Sequence, residues 1–263
     1  MLSQPTVSVV ALVAAFVIAT LASPVGVSGA VLLLPFQVSV LGTPSPAVTP
    51  TNLLYNIVAT PGALYRYWRQ QQTGGALTRV LLAGTIPGVV AGAIVRVEFL
   101  PDPRAFQIVI AAVLIPLGAW ILVSRRGGPV SRPVVRINSV VLGILAAVVG
   151  CVGGIYGIGG GSILAPLLVG SGRSVAEVAP ATLASTFVTS VAGVVTFVLL
   201  SIEHQGAVAP DWGIGLALGV GGLLGGYTGA RLQPLLPEAA IRRLLGVLVL
   251  AIGVRYAWLA WSA

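Results

Sequence analysis

Two glycine clusters stand at matching places in the chain, Gly26-Val27-Ser28-Gly29 and Gly157-Ile158-Gly159-Gly160-Gly161-Ser162. Glycines in succession weaken a helix, so within apolar sequence they predict helix breaks. A half-helix that restarts after a break presents backbone N–H groups with no intrahelical partner and a partial positive charge, which attract an anion. The restarts fall at Ser28-Gly29 and Gly161-Ser162. Each is followed by a proline, Pro35 and Pro166, and then by a polar group led by a further proline: Thr51, Asn52 and Asn56 after Pro50, and Thr182, Ser185 and Thr186 after Pro180. No charged residue lies near the centre of any apolar stretch, where it would be the default functional pointer. The chemistry open to this set is therefore non-covalent: a small anion held by peptide dipoles, amides and hydroxyls. The structural alternatives are a tight hairpin turn for the glycines and interhelical hydrogen bonds for the polar side chains.

Other chemistries fit less well. GVSG at 26–29 resembles the nucleophile motif of rhomboid intramembrane proteases, but the repeat described below puts Gly159 at the place of Ser28, and the single histidine, His204, sits in a polar link. GGIYGIGGG satisfies a nucleotide-binding glycine pattern only where a strand precedes it, and an apolar helix is predicted there. Without any lysine the chain has no phosphate-loop lysine. The lone Cys151 makes neither an intramolecular disulfide nor a cysteine zinc cluster. No catalytic residue, metal site or cofactor is predicted.

The elements that must position these residues are membrane-spanning helices. Hydrophobic residues make up 57% of the chain and charged residues 8%, far below the roughly 25% charge of soluble domains. A bilayer core of about 30 Å takes ~20 apolar residues per helix, and such stretches recur along the chain. Ten are predicted: 6–22, 29–41, 46–65, 76–97, 104–123, 137–154, 160–170, 174–201, 210–231 and 238–261. The second and seventh are too short to span comfortably at about 1.5 Å per residue, as expected of a re-entrant hairpin or broken helix. All fourteen basic residues are arginines at segment ends, a topology pattern rather than a nucleic-acid footprint. The uncharged start of the chain, and its counterpart deep inside the sequence, argue against a signal peptide.

The ten segments form two copies of one unit. PVGVSGAVLLLP at 24–35 aligns without gaps on IYGIGGGSILAP at 155–166; after one deletion, AVTPTNLL at 47–54 falls on EVAPATLA at 177–184. The copies are 6–124 and 136–262, joined by an arginine-rich linker, 125–135, within a single membrane domain. If each glycine break turns its hairpin back to its own side, Arg66, Arg69, Arg79, Arg125, Arg126, Arg132, Arg136, Arg173, Arg231, Arg242 and Arg243 share one face, and Arg96, Arg104 and Arg255 lie opposite. Eleven against three is the asymmetry that marks a cytoplasmic face. Each copy then crosses an odd number of times and the copies are inverted, with both termini extracytoplasmic. The predicted fold is an all-α polytopic membrane protein of two inverted repeats, each a broken-helix hairpin plus three transmembrane helices. Small residues four apart, Gly88-Gly92, Gly215-Gly219 and Gly221-Gly225-Gly229, are read as packing sites within the chain, and the same pattern would serve a homodimer.

The duplicated glycine break, its short apolar continuation and the proline-led polar segment resemble those of the TauE/SafE family of sulfite and organosulfonate exporters, also called toluene sulfonate uptake permeases. The similarity covers nearly the whole chain. It rests chiefly on GIGGGSILAPLLVGSG at 157–172, the first copy departing at Ser28 and Ala30. The resemblance implies a secondary transporter in the cell membrane, exporting small anions such as sulfite, organosulfonates or related carboxylates by alternating access, either coupled to H+ or Na+ or as a facilitated carrier. An anion channel is the alternative. The site it implies comprises Gly26, Ser28, Gly29, Pro35 and Asn52 in the first copy and Gly157, Gly159, Gly160, Gly161, Pro166 and Thr182 in the second, to which the residue pattern itself adds Asn56, Ser162 and Thr186. Its partners are the lipid bilayer and the small anion, not nucleic acid.

Overall fold

The computed structural model describes residues 4–25, 27–69, 75–100, 103–123, 138–171, 173–204, 206–232, 235 and 237–262. They form ten helices: α1 Gln4–Ala22, α2 Ala30–Phe36, α3 Val48–Arg69, α4 Gly75–Glu98, α5 Pro103–Val123, α6 Ser139–Tyr156, α7 Gly161–Gly170, α8 Val175–Glu203, α9 Trp212–Leu232 and α10 Glu238–Ser262. Each predicted segment is a helix. The short second segment is the seven-residue α2 continued by a π segment, Gln37–Leu41, that Gly42 ends in the left-handed region at φ 66°. The linker 125–135 and Gly26 lie outside the described residues.

Local sequence explains the helix starts. Asn138 accepts the Val140 N–H at 2.9 Å and starts α6 later than the apolar run suggests. Ser174 accepts the Glu177 N–H at 3.2 Å at the start of α8, and Asp211 accepts from Ile214 at 2.9 Å at the start of α9. These oxygens satisfy donors that the first helical turn leaves free.

By length and composition, α4, α6, residues 176–203 of α8 and α9 are each long and apolar enough to cross a membrane; α1, α2 with its π segment, and parts of α5 and α10 are shorter apolar helices. In α3 the buried residues Thr49, Thr51, Asn52, Asn56 and Thr60 depress the hydropathy. The helix that carries the candidate site is thus the one whose composition speaks least for lipid.

Backbone contacts at glycine set the helix directions. Beside α4, Gly84 lies against Gly143 and Ala146, and Gly92 against Cys151, so α4 and α6 run parallel. Gly221, Gly225 and Gly229 of α9 meet Leu12, Phe16 and Thr20 in order, so α1 and α9 are parallel; Gly215 and Gly219 meet Leu54 and Val58, so α3 is parallel to α9. In contrast, Gly118 and Gly253 meet Leu250 and Ile115, making α5 and α10 antiparallel. Helices α3 and α8 are also antiparallel, with Leu53 against Gly193 at one end and Ala63 and Tyr67 clustered with Leu183 and Ala179 at the other. The principal pairs are α1·α9 with α6·α4, α3·α9 with α8·α4, and α5·α10 and α3·α8 with themselves. Exchanging the first five helices for the last five returns this same set.

The small-residue stripes therefore lie inside the chain, where the absence of a side chain lets backbones touch. Trp68, Trp120, Trp212, Trp258 and Trp261 are exposed near helix ends. Among the arginines, Arg96 is more than a topology marker: it is fully buried at the end of α4.

Candidate functional site

The two glycine breaks meet. The Ser28 N–H donates to Ser162 Oγ at 3.3 Å, and Ser162 Oγ donates in turn to the Ile158 carbonyl at 3.1 Å. The second break is made by Gly157 and Gly159 at φ 78° and 67°, conformations that side chains oppose. Gly157 lies against Thr49 near the start of α3, whereas Gly160 lies beside Thr85 and Gly150, in the middle of α4 and α6. The chain thus turns near one end of the bundle and restarts at mid-depth. The first break does the reverse: Tyr67 OH donates to the Ser23 carbonyl near the end of α3, and Ser28 reaches Asn56 at the middle of that helix.

The predicted residues divide by what engages them. On the first break, Ser28 Oγ donates to Asn56 Oδ1 and accepts the Ala30 N–H at 3.2 Å. Asn52 donates to the Ala30 carbonyl and accepts from Gln37, both at 2.9 Å, which fastens α2 to α3. Gly29 lies directly against the Tyr55 hydroxyl. Pro35 has no N–H, so the Val31 carbonyl lacks its helical donor, and Tyr156 OH supplies one at 2.8 Å. Gly26 lies outside the described residues.

Around the second break, Gly160 N–H donates to Thr189 Oγ1 at 3.4 Å. Gly161 abuts the Thr182 carbonyl and Thr186 Oγ1, and Gly159 faces Thr186 and Ser190. Thr182 Oγ1 donates to the Val178 carbonyl at 2.9 Å. Pro166 lies within α7. Three buried polar atoms at the two breaks have no hydrogen-bond partner: Asn56 Nδ2 at the first, and Thr186 Oγ1 and Ser190 Oγ at the second. Such atoms carry a desolvation penalty unless a ligand or water meets them.

Two of the polar candidates turn elsewhere. Thr51 accepts the Asp211 N–H at 2.8 Å before α9, and Ser185 pairs with Thr85 at 2.9 Å, joining α8 to α4. Sequence reasoning missed Tyr55, Thr60, Thr189, Ser190 and Tyr156. Thr60 and Ser190 were within its reach: Asn52, Asn56 and Thr60 recur every fourth residue on α3, as Thr182, Thr186 and Ser190 do on α8, and such residues share one helix face. A small cavity beside the first break is lined by Ser28, Tyr55, Ala59, Thr60, Leu183 and Gly222.

Among the described residues the acidic ones, Glu98, Glu177, Glu203, Asp211 and Glu238, lie near helix ends or in links. His204 pairs with Glu98 at 2.9 Å, joining the ends of α8 and α4. Ser28 thus has an asparagine, and no histidine, as its hydrogen-bond acceptor, which removes the geometry a serine nucleophile needs.

The family profile described as "Sulfite exporter TauE/SafE" matches residues 11–256. Two curated relatives, from Xylella fastidiosa strains Temecula1 / ATCC 700964 and 9a5c, are each called "Probable membrane transporter protein". They are 22% identical to this chain over 250 and 256 residues, covering 90% of it and 90% of each relative. No solved structure matches the chain.

Proposed function

Because the chain belongs to the sulfite exporter TauE/SafE family, and is thus a multi-pass membrane transporter, we propose that it is a secondary carrier of small anions such as sulfite, organosulfonates or related carboxylates, working by alternating access. Two inverted copies, 6–124 and 136–262, supply the machinery. The antiparallel α3·α8 and α5·α10 pairs support inversion, since each joins equivalent helices of the two copies. The same directions put Arg66, Arg69, Arg79, Arg173, Arg231 and Arg243 at one end and Arg96, Arg104 and Arg255 at the other, which supports a cytoplasmic face at the first end and extracytoplasmic termini.

One observation carries the anion reading: two helix breaks touch at mid-depth, among buried hydroxyl and amide atoms that lack partners. Broken helices at the bilayer midplane are where inverted-repeat carriers bind anionic groups. Their dipoles stabilise negative charge without the cost of a buried cation. An inside-negative membrane potential pushes an anion outward by about 2.3 kcal/mol per charge per 100 mV, which favours export.

A proteoliposome screen of sulfite, sulfate, thiosulfate, sulfonates and short carboxylates tests this. Saturable flux of at least one of these anions is expected, accelerated by the same anion on the far side, as a carrier requires and a channel does not. Movement of cations or neutral solutes alone would sink the proposal.

A further inference from the structure

The two halves of the site are chemically unequal, although the repeat makes them formally equivalent. On the first break most polar groups at the restart are engaged: Ser28 N–H with Ser162, Ala30 N–H with Ser28 Oγ, and Asn52 with Gln37 and Ala30, while Asn56 Nδ2 is left without a partner. Thr60, the repeat counterpart of Ser190, donates to the Asn56 carbonyl at 2.5 Å. The second break leaves more open, although Gly160 N–H meets Thr189 Oγ1 and Thr182 Oγ1 meets the Val178 carbonyl. The ten-residue α7 opens at Gly161, and the first N–H groups of a helix have no intrahelical acceptor. Facing that opening are two fully buried hydroxyls without partners: Thr186 Oγ1, 2.5 Å from where a Cβ on Gly161 would sit, and Ser190 Oγ, 3.2 Å from the same point on Gly159. They stand one turn apart on α8.

We propose that the anion is an oxyanion seated at the second break, its oxygens accepting from Thr186 Oγ1, Ser190 Oγ and the opening N–H groups of α7, while Ser28, Asn52 and Thr60 of the first copy act as a structural brace. Ser190 becomes a binding residue, and the first copy sets the position of the second through Ser28 and Ser162. The inference rests on the anion reading above but is narrower. Hydroxyl and peptide donors suit the oxygens of a sulfite or sulfonate head; being uncharged, they discriminate by oxygen placement rather than by charge. A spherical halide would satisfy fewer of these donors.

The test uses the full-length protein, with sulfite binding read as the ligand-induced shift in melting temperature and as flux in proteoliposomes. Hydrogen bonds to a charged ligand are strong enough that losing one weakens binding about ten-fold or more. Thr186→Val and Ser190→Ala are each expected to raise the apparent Kd for sulfite by that factor, Thr186→Ser to restore it, and Thr60→Val to leave it within about two-fold. Melting temperatures without ligand separate misfolding from lost binding; should either loss variant misfold, Thr186→Ser and Ser190→Thr at native affinity carry the support instead. Native sulfite affinity in both Thr186→Val and Ser190→Ala overturns this inference alone. Equal weakening by Thr60→Val overturns the asymmetry. A native protein that binds and moves none of the screened anions overturns both readings together.

Discussion

Gly161→Ala is expected to abolish transport, whereas Gly143→Ala, eighteen residues earlier, is expected to transport at the native rate. A Cβ on Gly161 would be driven into the Thr182 carbonyl oxygen and to 2.5 Å from Thr186 Oγ1, both on α8, whereas a Cβ on Gly143 meets nothing within 4 Å. Backbone cannot swing aside as the tip of a long side chain can. The methyl group must push α7 away from α8, and overpacking of this kind costs about 1–3 kcal/mol even where cores relax. Displacement has a second consequence, because α7 opens at this residue and carries the donors proposed to meet the anion. The measurement is initial flux in proteoliposomes at matched protein content, with elution profile and melting temperature reporting the fold. If Gly161→Ala does not fold, Gly159→Ala serves, since its φ of 67° resists any side chain and Thr186 stands 3.0 Å from the new Cβ. Native flux in a well-folded Gly161→Ala protein would mean that the α7–α8 contact has no part in the site.

Much of the architecture was legible because it is written in periodicities that one chain carries by itself. Apolar runs of about 20 residues mark helices in a bilayer, and every predicted run is a helix. The breaks before Ala30 and at Gly157–Gly161 were legible because clustered glycines contradict the helices around them. The shortness of α2 and α7 followed from the same positions. Other features depend on which helices become neighbours, and local sequence does not encode that. Ser28 touching Ser162, Tyr156 filling the Val31 carbonyl that Pro35 leaves free, and Thr51 turning to Asp211 are all contacts between the two halves of the chain.

The polar candidates show where that boundary falls. Asn52, Asn56, Thr182 and Thr186 were identified by place in a repeat, which fixes a helix face but not a partner. Once packed, Asn52 has both ends of its amide engaged, whereas Thr186 has an unpartnered hydroxyl. Duplicated sequence suggested duplicated function. The packed protein engages both Asn52 and its counterpart Thr182 and leaves an atom of both Asn56 and its counterpart Thr186 unpartnered; the halves part at Thr60, which is engaged, and Ser190, which is not. Ser190 was overlooked because the polar stripe was followed for one turn after Thr182 and not for two.

Arg96→Met is expected to lower the melting temperature more than removal of any other arginine of α3, α4 or α9, and Arg96→Lys is expected to restore only part of the loss. Arg96 is fully buried, and its guanidinium donates to the Leu100 carbonyl, Ser45 Oγ and Thr49 Oγ1. It thereby ties the end of α4 to the link before α3, and through Thr49, which donates to the Ile155 carbonyl, to the end of α6. Methionine keeps much of the volume but removes the donor from the buried Thr49 hydroxyl and from the part-buried Ser45 and Leu100 oxygens, at about 1–3 kcal/mol for each one that water cannot reach. Lysine keeps the charge, yet its single ammonium cannot reproduce the planar fork that reaches several acceptors together. By contrast Arg66, Arg69 and Arg79 lie near helix ends at the opposite face of the bundle, where water and lipid headgroups solvate a freed neighbour. Melting followed by tryptophan fluorescence in one detergent would compare Arg66→Met, Arg69→Met, Arg79→Met and Arg231→Met with Arg96→Met. Should Arg96→Met melt with the others, the arginine is merely a charge at the membrane surface. If instead it melts far lower while Arg96→Lys lies between, the buried fork holds the α2–α3 link, and with it the C-terminal end of α2, against α4. That link is what any movement of the first hairpin must strain.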